Sequence, residues 1–216
     1  MRTTLLTFAL LASAGPHDQH PWGRFKPGSS IRWKLGEDRE LLQTLKEIGP
    51  KGAVLQQDFF AGGKKGLSNT DTDALGLACF HCDPAAKEAG KETLKIDGKD
   101  YACAVYAVEG APPQQRAKKV WIAAGVDVPL KISDVLTSPL QKSLELVAVK
   151  VGEELTVGGK KVKTVRLEGK MSAGGADEAH VRWLSADVPG GLVKQVVTLP
   201  SGQTMAKEVV AFDAKR

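Results

Sequence analysis

The chain has 216 residues, of which 30 are Lys or Arg and 25 are Asp or Glu, so its formal net charge is +5. This length is enough for one large or two small domains with a hydrophobic core. The basic residues are spread in pairs, such as Lys64-Lys65 and Lys160-Lys161, whereas nucleic-acid-binding proteins concentrate positive charge on one face. The composition therefore argues against nucleic-acid binding and favours lysines that protect strand edges.

The start of the chain has the three parts of a secretory signal peptide. Arg2 is followed by an apolar run over residues 5–11 and by an A-x-A site at residues 12–14. The run is shorter than the roughly 20 apolar residues that a membrane-spanning helix needs, and no later stretch is long and apolar enough. The sequence therefore predicts a signal peptide over residues 1–14, and a soluble periplasmic or extracellular protein over residues 15–216.

The first part of the expected mature chain contains three strand-like segments. Residues 30–35 follow a Pro-Gly turn, and residues 53–56 follow a turn at residues 49–52. Residues 40–48 have two interpretations, because their apolar spacing fits a helical face while the turn after them fits a hairpin. We favour a strand, since the alternating and β-branched residues 143–151 occupy the corresponding place later in the chain.

An insert at about residues 60–90 has no counterpart in the second half of the chain. Its glycine-rich stretch, residues 61–66, is predicted to be a flexible loop. Asn69, Asp71 and Asp73 alternate as they do at the start of a calcium-binding loop, but the glycine and the bidentate glutamate of such a loop are missing. We predict no metal ion and no cofactor.

Two hairpins with matching neighbours indicate an internal repeat. Residues 94–101 contain an Asp-Gly turn and residues 155–162 contain a Gly-Gly turn, and both dipeptides favour two-residue hairpins. Each hairpin is followed by a strand with a tryptophan, Trp121 or Trp183, and then by Asp-Val-Pro. A repeated unit of this kind predicts an architecture in which like elements pair or stack.

These elements predict a mainly β fold. We expect a single β-rich domain over residues 15–216, with similar halves at about residues 40–135 and 140–213. The expected architecture is an antiparallel curved sheet or half-barrel, in which the two tryptophans occupy equivalent strands.

The two repeated tryptophans, Trp121 and Trp183, each have two interpretations. A tryptophan between sheet faces most often fills the core, which is the interpretation we favour. The alternative is that the indoles stack against a ligand. On that alternative they are our candidate ligand-binding residues.

The turn after the second tryptophan is predicted to be structural. Asp187 precedes Pro189, Gly190 and Gly191. An Asp ahead of such a turn commonly accepts backbone N–H bonds, and the glycine after proline takes the positive φ that a type II turn requires. We therefore expect all four residues to fix the turn rather than to bind a ligand.

Three cysteines leave several pairings open. Cys79 and Cys82 have C-x-x-C spacing, and Cys103 lies on the strand after the Asp-Gly turn. In an exported protein thiols tend to pair. We favour a bridge from Cys103 to the insert, with Cys82 as the expected partner. A Cys79–Cys82 bridge, a metal site and free thiols are the alternatives.

Three stretches carry a resemblance to a known family. They are residues 20–29, residues 98–103 and residues 183–194, the last of which reads W-x-S-x-D-V-P-G-G-x-V-K. Together they resemble a family of uncharacterised exported bacterial proteins of the kind abundant in planctomycetes. The tryptophan strand, its turn and the closing strand pair are also similar to LolA/LppX-type half-barrels, which carry lipids or lipoproteins.

The first repeat departs from this pattern, since it has Ala123 and Leu130 where the second repeat has Ser185 and Gly190. No residue of known function transfers from either resemblance, and a half-barrel likeness at the level of fold is a weak argument for function.

Two functional hypotheses follow from the sequence. The chain lacks a G-x-S-x-G nucleophile elbow and offers no close Asp/Glu pair with a nearby His that stands out from ordinary surface charge, so we expect no enzyme. The first hypothesis is a binding or carrier module for an apolar or lipid-like molecule, held in a concave face lined by Trp, Leu and Val. The second is a structural or interaction protein of the cell envelope whose sheet is fully packed. An apolar cavity above roughly 300 Å³ favours the first, and a filled core with an exposed hydrophobic edge favours the second.

Overall fold

The computed structural model describes residues 20–73, 86–110, 115–137 and 141–216. Within these ranges the chain forms thirteen β-strands and no helix, which confirms the predicted mainly β fold. The described residues therefore contain no helix long and apolar enough to cross a membrane. The strands are β1 (Ser30–Lys34), β2 (Arg39–Gly49), β3 (Gly52–Ala61), β4 (Lys64–Asp73), β5 (Lys87–Ile96), β6 (Lys99–Glu109), β7 (Arg116–Ala123), β8 (Lys131–Leu136), β9 (Lys142–Val157), β10 (Lys160–Ala173), β11 (Ala176–Leu184), β12 (Leu192–Thr198) and β13 (Thr204–Asp213).

All thirteen strands belong to one antiparallel sheet. Its order is β4-β3-β2-β1-β13-β12-β11-β10-β9-β8-β7-β6-β5. Strands that follow each other in the chain are therefore paired, except β4 and β5, and β1 also pairs with β13. In the described residues β4 and β5 are the two edges of an open sheet. The segment that had a helical alternative is strand β2, so the helical interpretation is excluded.

The sheet is strongly curved. β9 contacts both β5 and β13, although each of these lies four places away from it in the sheet. At the tip of the β9–β10 hairpin the Lys160 ammonium donates a hydrogen bond of 3.4 Å to the Phe212 carbonyl oxygen of β13, and it lies 4.7 Å from the centre of the Phe212 ring. Sheets of more than about ten strands commonly curl in this way, because strand twist accumulates.

One face of the sheet holds most of the core between β7 and β11. Alternating residues of these strands point to that face, and five of them are at most 1% exposed. We call this side the inner face. It is marked by Val120, Ile132, Leu146, Leu167 and Leu184.

A second buried zone lies on the opposite face, where the long hairpins fold back. On β5 and β6 it contains Ile96 and Cys103, and on β7 it contains Trp121, which is 6% exposed. On the second hairpin Val157 and Val162 occupy a similar position. Because both zones belong to one cluster of buried residues, the sheet forms a single packed unit.

Residues 20–29 plug one end of the curved sheet. Trp22 is 1% exposed, and an ideal Cβ on Gly190 would lie only 3.0 Å from its indole nitrogen. The Arg24 guanidinium lies 3.1 Å from the Asp127 carboxylate. The plug therefore rests on both loops that follow a tryptophan strand.

The structure corrects the prediction of a flexible loop at residues 61–66. Gly62 and Gly63 form a hairpin turn between β3 and β4, in which Ala61 pairs with Lys64. Their φ values are 54° and 74°, which two-residue hairpin turns require and glycine supplies without strain. The glycine pair thus makes a turn between strands, as the pair at residues 158–159 does. Asn69, Asp71 and Asp73 all lie on β4.

The repeated elements correspond over four strands. The ranges 40–135 and 140–213 contain seven and five strands respectively, so they do not match strand for strand. The shared order is a hairpin, a tryptophan strand and a return strand, which runs from β5 to β8 and from β9 to β12. In each run the tryptophan, Trp121 or Trp183, lies on the third strand.

Candidate functional site

Side chains from five successive strands surround a cavity of about 300 Å³ on the inner face. It lies at the end of the sheet away from Trp22, since its residues come from the start of β7 and β9 and the end of β8 and β10. Because strands β7 to β11 all contribute to one cavity, the inner face is concave there. Its lining consists of the apolar Leu136, Leu144 and Met171 and the polar Arg116, Asp134, Lys142 and Arg182.

One pair of charges in this lining neutralises itself. Arg116 and Asp134 form a two-point ion pair, with Nε 2.7 Å from Oδ1 and Nη2 2.5 Å from Oδ2. The hydrogen bonds that Arg116 donates to Asp134 raise the pKa of Arg116 above its ordinary value. The side chain of Asp134 is 14% exposed, so the pair forms a shielded polar wall rather than a free charge.

Arg182 has no such partner. In the described part of the chain no carboxylate lies within 4.0 Å of its guanidinium, and its buried Nε makes no hydrogen bond. Burial lowers the pKa of the Arg182 guanidinium, because removal from water disfavours the charged form. A half-buried cation without a counter-ion is costly to the fold.

A second cation lies at the same level of the sheet. Arg182 pairs with Gln195 on β12, and Gln195 pairs with Lys207 on β13. The Lys207 ammonium lies 5.4 Å from the centre of the Trp33 ring. Burial and the nearby charge of Arg182 both lower the pKa of Lys207. Two like charges are therefore held together on the inner face.

His180 is the next inner-face residue along β11. It is 4% exposed, and its Nε2 lies 3.2 Å from a carboxylate oxygen of Glu178. Its Nδ1 is buried and has no hydrogen-bond partner among the described residues. Burial lowers the pKa of His180, and the hydrogen bond to Glu178 opposes that shift. A second polar group on this wall is thus incompletely satisfied.

A broader cleft of about 510 Å³ lies on β5, β6 and β7. Small side chains create it: Ala102, Ala104 and Ala124 lie beside Ile122 and Tyr106. Ile122 is two residues from Val120 and therefore on the inner face as well. The concave side accordingly offers mostly apolar space beyond the charged cavity.

The two repeated tryptophans lie on the other face. Trp121 donates to Glu92 at 2.6 Å and lies 4.6 Å below the Lys131 ammonium. Trp183 repeats this arrangement, since its Nε1 donates to the Glu153 carboxylate at 3.2 Å. They alternate with Val120 and Arg182, which point inward, so they line neither cavity. A ligand would have to approach these tryptophans from the outer side, and their role as ligand-binding residues stays a prediction.

The tryptophan of the inner face is Trp33 on β1. It is 5% exposed, and its Nε1 donates to the Gln43 side chain at 2.8 Å. Our sequence interpretation did not single it out, because it belongs to neither repeat. Its pairing with Val209 on β13 brings it beside Lys207.

The Pro-Gly turn has the predicted backbone conformation, but the predicted role of Asp187 is wrong. Gly190 has a φ of 79°, and the Gly191 N–H donates to the Val188 carbonyl at 2.9 Å, as in a type II turn. The Asp187 carboxylate does not accept backbone N–H bonds. It pairs with Arg216 at 2.6 Å, and its own N–H donates to the Ser185 hydroxyl at 3.3 Å.

The proposed disulfide is not seen. Cys103 is a free thiol that is 2% exposed, and its Sγ lies 3.4 Å from the Tyr101 carbonyl oxygen. Burial and the nearby Glu92 raise the pKa of this thiol. Cys79 and Cys82 lie outside the described residues, so a bridge to Cys103 stays a prediction.

The polar residues of the cavity were missed by sequence reasoning. The only available signal was the alternation of His180 and Arg182 with Val181 and Trp183, which places two polar side chains on one face of a strand. An alternating pattern normally marks the polar face as solvent-exposed, and here the curvature of the sheet makes it the inner one.

The functional assignment rests on this geometry. Among the described residues no group of three or more His, Cys, Asp or Glu side chains is arranged to hold a metal ion. Comparison with protein-family models, with curated proteins and with solved structures finds no match to this chain.

Proposed function

We propose that the protein is an exported, non-enzymatic binding or carrier module for an apolar or lipid-like molecule. The observation that supports this function is the inner-face cavity formed by five successive strands. The plug at residues 20–29 occupies the opposite end of the sheet, so a ligand would enter beside Leu136 and Met171.

The dimensions of the concave side suit this function. Ligand sites commonly occupy about 300–1,000 Å³ and combine apolar walls with a few polar groups. The cavity has about 300 Å³ and the neighbouring cleft about 510 Å³. Leu144 and Met171 supply apolar wall, so burial of a hydrocarbon chain there would be favourable by roughly 25 cal/mol per Å² of apolar surface.

A neutral apolar probe tests this function directly. We expect N-phenyl-1-naphthylamine to bind saturably, with enhanced fluorescence and a stoichiometry of about one. Met171→Trp would fill the cavity and weaken binding about ten-fold or more. Leu67→Trp is the matched control, because Leu67 is 67% exposed on edge strand β4. Equal binding by both variants, or no saturable binding to the parent, would refute the carrier function.

A structural or interaction protein of the cell envelope is the second candidate. Its supporting observation is exposed apolar surface, since Leu67 is 67% and Met205 50% exposed. Lysines along β4 and β5, such as Lys65 and Lys91, oppose edge-to-edge assembly. Sedimentation of the purified protein with isolated envelopes, combined with loss of sedimentation in Leu67→Ser and Met205→Ser, would favour this candidate.

Export is part of the proposal. The expected signal peptide, residues 1–14, lies outside the described residues. Amino-terminal sequencing of the protein secreted by its own cells would give Gly15 as the first residue. Recovery of the intact amino terminus from the cytoplasm would contradict export.

A further inference from the structure

We infer that the inner face recognises an anionic oxygen group, a carboxylate or a phosphate, at the polar end of an amphipathic ligand. The groups that would hold it are Arg182 and Lys207. This inference rests on the proposed binding function, and it names the class of ligand that the same site would take.

The first step of the argument is the charge balance of the inner face. In the described ranges Asp134 is already paired with Arg116, and Glu178 lies against His180. Arg182 and Lys207 have no carboxylate within ion-pair distance in those ranges. Lys142 also lines the cavity without such a partner, but it is exposed to solvent, so Arg182 and Lys207 are the half-buried charges that remain uncompensated. Buried charges in proteins are normally paired or hydrogen-bonded, and an anion from outside would supply the missing partner.

The second step is geometry. Arg182, Gln195 and Lys207 are direct cross-strand neighbours on three successive strands. Strand spacing places the two cations about 10 Å apart at their Cα atoms. Their long side chains could therefore meet above Gln195, where one anionic group would accept hydrogen bonds from both, and the Gln195 amide could add a donor.

The third step is the apolar surface beside these cations. Arg182 lines the cavity together with Leu136, Leu144 and Met171, and Trp33 lies against Lys207. A free anion would gain nothing from these side chains. A molecule with an anionic end and a hydrocarbon part would satisfy the two cations and bury apolar surface in the same site.

One orphan donor supports a polar ligand group at this place. The Nε of Arg182 is buried and without a hydrogen-bond partner in the described part of the chain. Buried polar atoms are rarely left unsatisfied, and a bound anionic oxygen would accept a hydrogen bond from this donor. The buried Nδ1 of His180 does not count toward the anion, because it is an acceptor when Nε2–H donates to Glu178.

Three probes of the same full-length protein test the inference. Dodecanoate carries both features, dodecanol carries only the chain, and acetate carries only the anion. By competition with N-phenyl-1-naphthylamine we expect dodecanoate to bind about ten-fold or more tightly than dodecanol, and acetate to compete only weakly.

Variants of Arg182 and Lys207 then test which positive charge binds the carboxylate of dodecanoate. Arg182→Gln should abolish the preference for dodecanoate over dodecanol, and Lys207→Gln should reduce that preference. Lys119→Gln, an exposed lysine on the outer face of β7, removes the same charge and should change nothing. Thermal melts of each variant confirm that it is folded.

The possible failures are distinguishable. Equal affinities of the parent for dodecanoate and dodecanol, or a preference for dodecanoate that survives both Arg182→Gln and Lys207→Gln, would overturn the anion inference but leave the carrier function standing. Acetate competing as well as dodecanoate, with no competition by dodecanol, would overturn the carrier function but leave the anion site standing.

Discussion

Arg182 combines an unsatisfied hydrogen-bond donor with an uncompensated charge. Among the described residues its buried Nε has no hydrogen-bond partner, and it faces Lys207 across a single strand. Residues of this kind are often retained because they bind a ligand rather than because they stabilise the fold. Their side-chain pKa is then shifted, and the folded protein is less stable.

Replacing this charge by an apolar side chain should stabilise the ligand-free protein. We expect Arg182→Met to raise Tm by about 2–4 °C, because it removes an unpaired, half-buried cation while keeping most of the volume. Differential scanning calorimetry measures the change. Arg166→Met is the control, since Arg166 also has a buried Nε without a hydrogen bond among the described residues but lies within ion-pair distance of Glu153 and Glu168, so its loss should not stabilise. A lower Tm for Arg182→Met would show that the cation already has a partner.

His180 should make stability depend on pH. Burial lowers its pKa in the folded state, whereas in the unfolded chain its pKa is about 6.5. The unfolded state then binds the proton first as the pH falls, so stability is full above about pH 6.5 and declines below it. We expect the Tm of the parent to fall more between pH 7.5 and pH 5.5 than the Tm of His180→Gln. Parallel curves for the two proteins would contradict a buried, neutral histidine.

At the scale of elements, turns and hairpins show how local chemistry positions the sheet. Gly62-Gly63 and Gly158-Gly159 turn the chain between adjacent strands, and Pro189-Gly190 ends a tryptophan strand. The last two turns were predicted, because two-residue hairpins and type II turns need positive φ at defined positions, whereas Gly62-Gly63 was expected to lie in a flexible loop. The role of Asp187 was not predicted correctly, since its partner Arg216 approaches from the far end of the chain.

The turn that follows Trp183 gives a prediction in which Asp187→Ala serves as the control for Gly190→Val. Gly190→Val should lower Tm strongly, because its φ of 79° is strained for a β-branched residue and its Cβ would lie 3.0 Å from the Trp22 indole. Asp187→Ala should change stability by less than about 1 kcal/mol, because its ion pair with Arg216 is exposed. Chemical denaturation of both variants compares them. Similar losses would mean that the carboxylate, rather than the backbone, fixes the turn.

At the scale of the whole molecule, the described residues form one curved sheet with no second layer against it. Stability therefore depends on how the two ends of that sheet are filled. One end is filled by Trp22 and Phe25, whereas the other is lined by Leu144, Met171 and the Arg116–Asp134 pair. This asymmetry is what makes one end a plug and the other a candidate entrance.

Removing the plug should destabilise the whole sheet. Trp22→Ala is expected to cost about 3–5 kcal/mol, as for other fully buried aromatic residues. Trp183→Ala is the matched control and should cost less, because Trp183 is only half-buried. The free energy of unfolding in urea decides between them. If Trp22→Ala costs no more than Trp183→Ala, the amino-terminal segment does not close the sheet.

The sequence by itself determined the mainly β character, the Asp-Gly and Gly-Gly hairpins of the repeat and the recurrence of hairpin, tryptophan and Asp-Val-Pro, but not strand β4, which lies in the expected insert. These features depend on side-chain alternation and on backbone preferences within a few residues, which local sequence encodes. Only the tertiary structure decided which face of each strand became the inside, because an alternating strand has two faces and either can be concave. It also brought Arg182 of β11 beside Lys207 of β13 and set Trp22 against Gly190. Those contacts depend on register and curvature accumulated over many strands, and no local pattern of residues records them.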